Sequence, residues 1–164
     1  MPQDGHEKQD CERSAEKRWL TQHAPQVALY GVTVLGDDLY SNQPLCALAL
    51  PHGYNFIFVC KPDSHPKFYE RLAFWQANSG IAELEHRRWN GRFTEVLYYR
   101  YINDILLRGG TDALLINWFE STVVKTKTGE QLYHNSFITN HQVTTETVAA
   151  VAHAGHGRWK LEYS

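Results

Sequence analysis

Three stretches of this chain hold residue types whose spacing is suited to chemistry. Asp37 follows the apolar stretch Val27–Leu35 and Gly36. A carboxylate at the carboxyl end of a buried strand is well placed for catalysis, because ligands of α/β sheets bind outside those strand ends. Asp38 comes next, but adjacent residues leaving a strand point apart, so only one of the two faces a given site. A plain Gly-Asp-Asp turn accounts for the same residues. Near the end of the chain, Glu162 stands four residues after Arg158, on the same face of a helix. With Trp159 and Lys160 between them, this mixture suits a phosphate-rich ligand, and a surface ion pair explains the spacing as simply. The third stretch is Arg87-Arg88-Trp89-Asn90-Gly91-Arg92, with Arg100 later. Cations interleaved with aromatics suit a phosphate backbone. A solvated hairpin neutralised by Glu83, Glu85 and Glu95 is the alternative.

Other residue types exclude chemistry. Three cysteines, Cys11, Cys46 and Cys60, form no CxxC and make an odd count, so buried, reduced thiols are expected. His153 and His156, or Cys60 and His65, fall short of the ligand number zinc requires. No nucleophile elbow or Ser-His-Asp pattern supports an α/β hydrolase. The formal net charge of −2 gives no overall attraction to nucleic acid, so any such contact must come from local patches. No apolar run approaches the ~18–20 residues of a membrane helix. The opening residues do not read as a signal peptide, and a cytoplasmic protein is expected.

The elements that would position these residues follow from pattern. Glu7 to His23 reads as a helix ended by Pro25. Val27 to Leu35 and Asn55 to Cys60 are continuous apolar runs, expected as buried strands. Between them Asn42 can cap a short helix, with Pro44 in its first turn, that stops near Pro51-His52-Gly53. Ser64 can cap another helix that ends before Gly80. After Gly80 the texture becomes β-rich: Ile81–Trp89 and Arg92–Asn103 flank Asn90-Gly91, a strong hairpin signal. Leu114–Thr122 reads as a further strand. Val123–Thr126 and Gln131–Thr139 flank a turn at Lys127-Thr128-Gly129. This block is expected to pack beside the α/β layer without joining its sheet. A helix begins at Thr144 or Thr145, with Gly155 and Gly157 interrupting it. The fold class is therefore α/β (α+β overall), divided as 1–80 α/β core, 81–143 β-rich block and 144–164 terminal helix.

Several segments together resemble one family: Lys8–Glu12 with Lys17–Leu20, Leu35–Ser41, Phe56–His65 and Arg158–Glu162. They look like a bacterial insertion-sequence DDE transposase whose RNase H-like catalytic domain carries a β-rich insertion before its last acidic residue. The resemblance runs over essentially the whole chain, and Gly-Asp-Asp-Leu-Tyr-Ser and Arg-Trp-Lys-Leu-Glu are its most specific parts. It implies an incomplete RNase H-like core and a nucleoid-associated protein with DNA as partner. In the family, three carboxylates hold two Mg²⁺ ions for in-line attack on a DNA phosphodiester. The second family Asp matches Asp37 and the catalytic Glu matches Glu162, making these two the implied catalytic and metal-binding residues. Arg158 matches the Arg of the family's Tyr-x2-Arg-x3-Glu-x6-Lys signature, whose Tyr position falls on Gly155 and whose Lys position lies past Ser164. Arg158, Lys160, Arg87, Arg88 and Arg92 are the implied DNA contacts.

The family's first catalytic Asp lies on an opening strand that this sequence does not supply. A transposase fragment inactive by itself is the expectation, with Glu162 in a helix that has hardly begun and with poor Mg²⁺ binding. The alternative is a non-catalytic product that binds DNA or full-length transposase and interferes with transposition. A row of unpaired backbone groups on Val27–Leu35, open to self-association, is also expected.

Overall fold

A strand can be apolar at every position only if both of its faces are covered. The computed structural model describes residues 33–49 and 54–163. In chain order its elements are β1 (Thr33–Gly36), α1 (Gln43–Ala49), β2 (Asn55–Val59), α2 (Pro66–Ala77), β3 (Ala82–Trp89), β4 (Thr94–Leu106), β5 (Leu115–Lys125), β6 (Gln131–Thr139) and α3 (Val148–Tyr163). β2 is a strand of that doubly covered kind. Phe56 and Phe58 face a core completed by Cys46 and Leu48 of α1 and by Phe68 and Leu72 of α2. Ile57 and Val59 face the opposite core, completed by Val148 and Ala152 of α3. The architecture is mixed α/β in three layers: α1 and α2, the sheet, then α3.

The six strands form one sheet in the order β1-β2-β6-β5-β4-β3. β1 and β2 run parallel, Thr33 opposite Asn55 and Gly36 opposite Phe58. β2 then pairs antiparallel with β6, Ile57 opposite Thr139 and Val59 opposite Phe137. The β-rich block is therefore continuous with the α/β sheet, contrary to the expectation that it packs beside it. The physical reason lies in β6, whose C-terminal residues Ser136–Thr139 are all buried. Phe137 and Ile138 enter opposite cores, so this end of β6 needs a covered place inside a sheet, and β2 offers a free edge there.

Other differences are local. The two expected stretches Leu114–Thr122 and Val123–Thr126 merge into one strand, β5 (Leu115–Lys125), which pairs with both β4 and β6. Asn90-Gly91 does stand at the first hairpin tip, but the loop has four residues, with Trp89 opposite Thr94. Asn90 Oδ1 accepts hydrogen bonds from Arg92 N and Phe93 N, each at 3.0 Å, and Gly91 takes φ +100°, where glycine is favoured. β4 bulges between Ile102 and Ile105. The bulge switches parity, so Tyr101 lies in the α3 core while Ile105 lies in the α1/α2 core. Asn117 and Asn103 bond the backbone freed there, to Asp104 N and to Val143.

α2 starts one residue later than expected: His65, not Ser64, is its N-cap residue, with Pro66 in the first turn. The turn into α3 is closed by a reciprocal pair, Thr147 Oγ1 accepting from Thr144 N at 2.8 Å and Thr144 Oγ1 from Thr147 N at 3.2 Å. The glycines do not interrupt α3, which runs through Gly155 and Gly157 to Tyr163. Glu162 thus lies in the last turn of a 16-residue helix, not in one that has hardly begun. The expected Glu7–His23 helix, the first residues of the Val27–Leu35 strand and the helix stop at Pro51–Gly53 lie outside the described residues. Among the described residues, β1 pairs with β2 alone. No described helix is long and apolar enough to cross a membrane.

Gly155 has a packing role. A Cβ there would stand 2.8 Å from Phe137 Cε1 and 3.0 Å from Cζ, too close for either ring atom. Helix propensity alone would favour Ala over Gly by about 1 kcal/mol. Gly155→Ala is expected to destabilise the fold by about 1–3 kcal/mol instead, because the helix must lift from the ring. Urea unfolding measures this, and a stabilised variant would contradict the packing described.

Candidate functional site

The carboxyl ends of β1 and β2 lie side by side, and the sequence between them folds so that polar groups gather there. β1 ends at Gly36, and Asp37 is the first residue past it. Its backbone is extended, φ −85° and ψ −173°, and its Oδ1 accepts a hydrogen bond from Leu39 N at 2.9 Å. Asp37 thereby caps the short 3₁₀ turn Asp38–Tyr40. Asp38 points elsewhere, as adjacent residues leaving a strand must. Its Oδ1 accepts from Lys61 N at 2.7 Å and lies 3.3 Å from His65 Nε2. That second approach is at ion-pair distance and poorly aligned for a hydrogen bond. Burial alone would raise the Asp38 pKa, but the nearby His65 imidazole, Ser64 and the Lys61 backbone amide carry it below the ordinary carboxylate value. Asp38 is thus a crosslink between the ends of the two parallel strands.

The rest of this corner is fixed equally firmly. Buried Ser41 donates through Oγ to the carbonyl of Val59. Tyr69 of α2 donates to the carbonyl of Cys60, and Ser136 of β6 donates to the same oxygen at 2.9 Å. Burial pushes the Cys46 thiol up to about 12 and the Cys60 thiol further up, so neither is a nucleophile or ready metal ligand. Lys61, His65 and Ser41 are site residues that the pattern of Asp37 and Asp38 does not reveal. The signal for Lys61 and His65 was the Phe56–His65 segment, whose residues after β2 sit opposite the end of β1, and that for Ser41 was the Leu35–Ser41 segment.

The divalent-ion reading meets a limit in these contacts. Among the described residues, no three or more His, Cys, Asp or Glu come together so as to hold a metal ion. Asp37 is engaged with its own turn and Asp38 with Lys61 and His65. α3 packs against both β1 and β2 and carries Arg158, Lys160 and Glu162 on its last two turns. The side chains of those three lie outside the description. The described residues by themselves do not fit a pair of Mg²⁺ ions.

The basic hairpin divides by strand parity. Arg88 stands opposite Glu95 and Arg87 opposite Val96, so the two arginines project from opposite faces of the sheet. Arg88 Nε donates to Glu95 Oε1 at 2.7 Å, and the Glu95 side chain is only 7% exposed. Arg88 is therefore the partner of a buried carboxylate rather than a free cation. Arg87 lies 3.7 Å from Glu85, with both side chains well exposed, a contact that contributes little. Arg92 makes no ion pair among the described residues. Arg100 is held by Glu120 at 2.8 and 3.1 Å and by Gln76 at 3.0 Å, above the ring of Trp118. Burial opposes the charge on Glu120, but Arg100 and His134 keep its pKa below the ordinary value. Trp118 is a core residue, 1% exposed, whereas Trp89 is 65% exposed and shares a face with Arg87. Arg87, Trp89 and Arg92 remain as the hairpin's exposed cations and aromatic ring.

Neither a scan against protein-family models nor a search of curated proteins finds a match for the chain. The division of the arginines has a direct consequence. Arg88→Ala is expected to destabilise the fold by about 2 kcal/mol, because it leaves the buried Glu95 carboxylate without its cation and with only the 3.2 Å bond from Asn90 Nδ2. Arg92→Ala is expected to change stability by less than about 0.5 kcal/mol. Thermal and urea melts of both variants check this, and equal effects would contradict the roles assigned.

Proposed function

We propose that this chain works in DNA transposition as an RNase H-like, DDE-transposase-type unit that engages DNA and does not cleave it alone. The observation that carries the reading is the arrangement of acidic positions around the parallel pair. Asp37 and Asp38 lie at the carboxyl end of β1, and α3, with Glu162 in its final turn, packs over both β1 and β2. Strand-end carboxylates beneath a helix bearing a later acidic residue are the kind of support from which two-metal phosphodiester chemistry is built. Mg²⁺ would belong to the complete assembly, with Asp37 and Glu162 among its ligands and further carboxylates supplied from elsewhere. The DNA backbone would meet Arg87 and Arg92, beside Trp89, and Arg158 and Lys160 on α3. The location that follows is the bacterial nucleoid.

One observation favours the second reading, a non-catalytic binding protein that interferes with transposition. Asp37 and Asp38 are already bonded within the fold, as structural residues are. Such a protein would contact DNA, full-length transposase or, through β1, another copy of itself.

Duplex binding and plasmid nicking test the proposal together. The chain is expected to bind duplex DNA weakly and without sequence preference. The slope of log affinity against log salt should be about −3 to −4, from Arg87, Arg92, Arg158 and Lys160. It is expected to leave supercoiled plasmid intact with Mg²⁺ or Mn²⁺. No duplex binding at low salt would overturn the DNA reading. Metal-dependent nicking abolished by Asp37→Asn would overturn the claim of inactivity and establish the catalytic one.

A further inference from the structure

Of the three residues with a buried polar side-chain atom that lacks a hydrogen-bond partner among the described residues, two line a single cavity. They are Arg71, through Nη1, and His65, whose Nε2 makes the off-line approach to Asp38. The cavity, about 300 Å³, lies between the start of α2 and the Leu107–Gly109 segment that follows β4. Buried donors are almost always paired, and an orphaned guanidinium nitrogen calls for an absent partner. Arg71 makes no ion pair among the described residues, and its Nη2 lies close to the Gly109 backbone, where an added Cβ would be 3.6 Å away. The guanidinium thus lies against the Gly109 backbone without an anion of its own among the described residues.

The surroundings of Arg71 have the same sign. Lys67, also without an ion pair among the described residues, lines the cavity one turn before it. Arg108 lines the opposite wall and is held at 2.7 Å by Asp112. The N-cap residue His65 makes no side-chain cap to the amides at the start of α2, whose first turn borders the same space. Uncapped helix amides and the positive end of the helix dipole favour an anion. Arginine's planar fork matches two oxygens of a phosphate. The larger cavity, about 620 Å³ between α3 and β3–β6, differs in kind, because its arginine, Arg88, is already neutralised by Glu95.

We propose that the cavity at the start of α2 is a phosphate-binding site, with Arg71 and Lys67 as its cationic contacts. A phosphodiester of a nucleic-acid backbone and a free phosphate share this chemistry. The site rests on its own geometry and not on the transposase reading.

The test uses the full chain, inorganic phosphate and a labelled DNA duplex. Phosphate binding is followed by calorimetry and by amide resonances of Lys67 and Phe68, with Arg71→Gln and Lys67→Gln checked for native melting. Inorganic phosphate is expected to bind saturably and to shift those amides, with affinity falling about tenfold or more in Arg71→Gln. Lys67→Gln should also weaken binding. Because Lys67 is exposed, that variant decides if Arg71→Gln fails to fold. If free phosphate does not bind but either variant lowers duplex affinity and reduces the salt slope by about 1, the site holds and the DNA backbone is its source. If phosphate and duplex binding are both unchanged in the variants, or neither ligand binds, the proposal is wrong. Should Arg92→Ala alone weaken the duplex, the phosphate site falls while the DNA reading stands.

Discussion

Everything else in this fold depends on the pairing of β2 with β6. β2 is apolar on both faces and has a strand along each edge, so its backbone and side chains are fully used. Without β6 its second edge would expose a row of unpaired donors and acceptors beside Phe56, Ile57, Phe58 and Val59. The same pairing brings Ser136 to the carbonyl of Cys60, which fixes the end of β2 and with it Lys61. The Lys61 backbone N–H in turn donates to the carboxylate of Asp38. The geometry of the candidate site is thus set by a contact between the two halves of the chain, not by the β1–β2 unit alone.

The elements were legible in the sequence where their cause is local. The apolar run of β2, the Asn90-Gly91 tip and the Thr144 turn each carry their signal within a few residues. The continuity of the sheet was not legible, because Ile57 and Thr139 are distant in the chain and their hydrogen bonds leave no periodic trace. The adjacent buried residues Phe137 and Ile138 were the nearest thing to a sign of it. α3 illustrates a different failure. Gly155 reads as a breaker on propensity, yet the helix passes through it because Phe137 occupies the space a Cβ would need. Tertiary packing decided that position.

The candidate site was partly legible. Asp37 at the end of a strand, and the divergence of Asp38 from it, follow from strand geometry and hold in the structure. The structural duties of the two carboxylates, a capped turn and a crosslink to β2, require knowing what lies opposite. The arginines show a pattern read too coarsely: Arg87 and Arg88 are neighbours on a strand, so period two alone sends them to opposite faces. Charge density along the sequence suggested one basic surface. Parity and the buried Glu95 leave Arg87, Trp89 and Arg92 to form it.

The joining of the two halves through β2 and β6 can be tested by native-state hydrogen exchange. If the sheet is continuous, the amides of β2 and of the buried end of β6, Phe137 to Thr139, exchange among the slowest in the protein. They should also open in the same cooperative unit as β5. If β3 to β6 stay protected while β1 and β2 exchange freely at much lower free energy, the halves are separate units. The account of the site built on their union would then be contradicted.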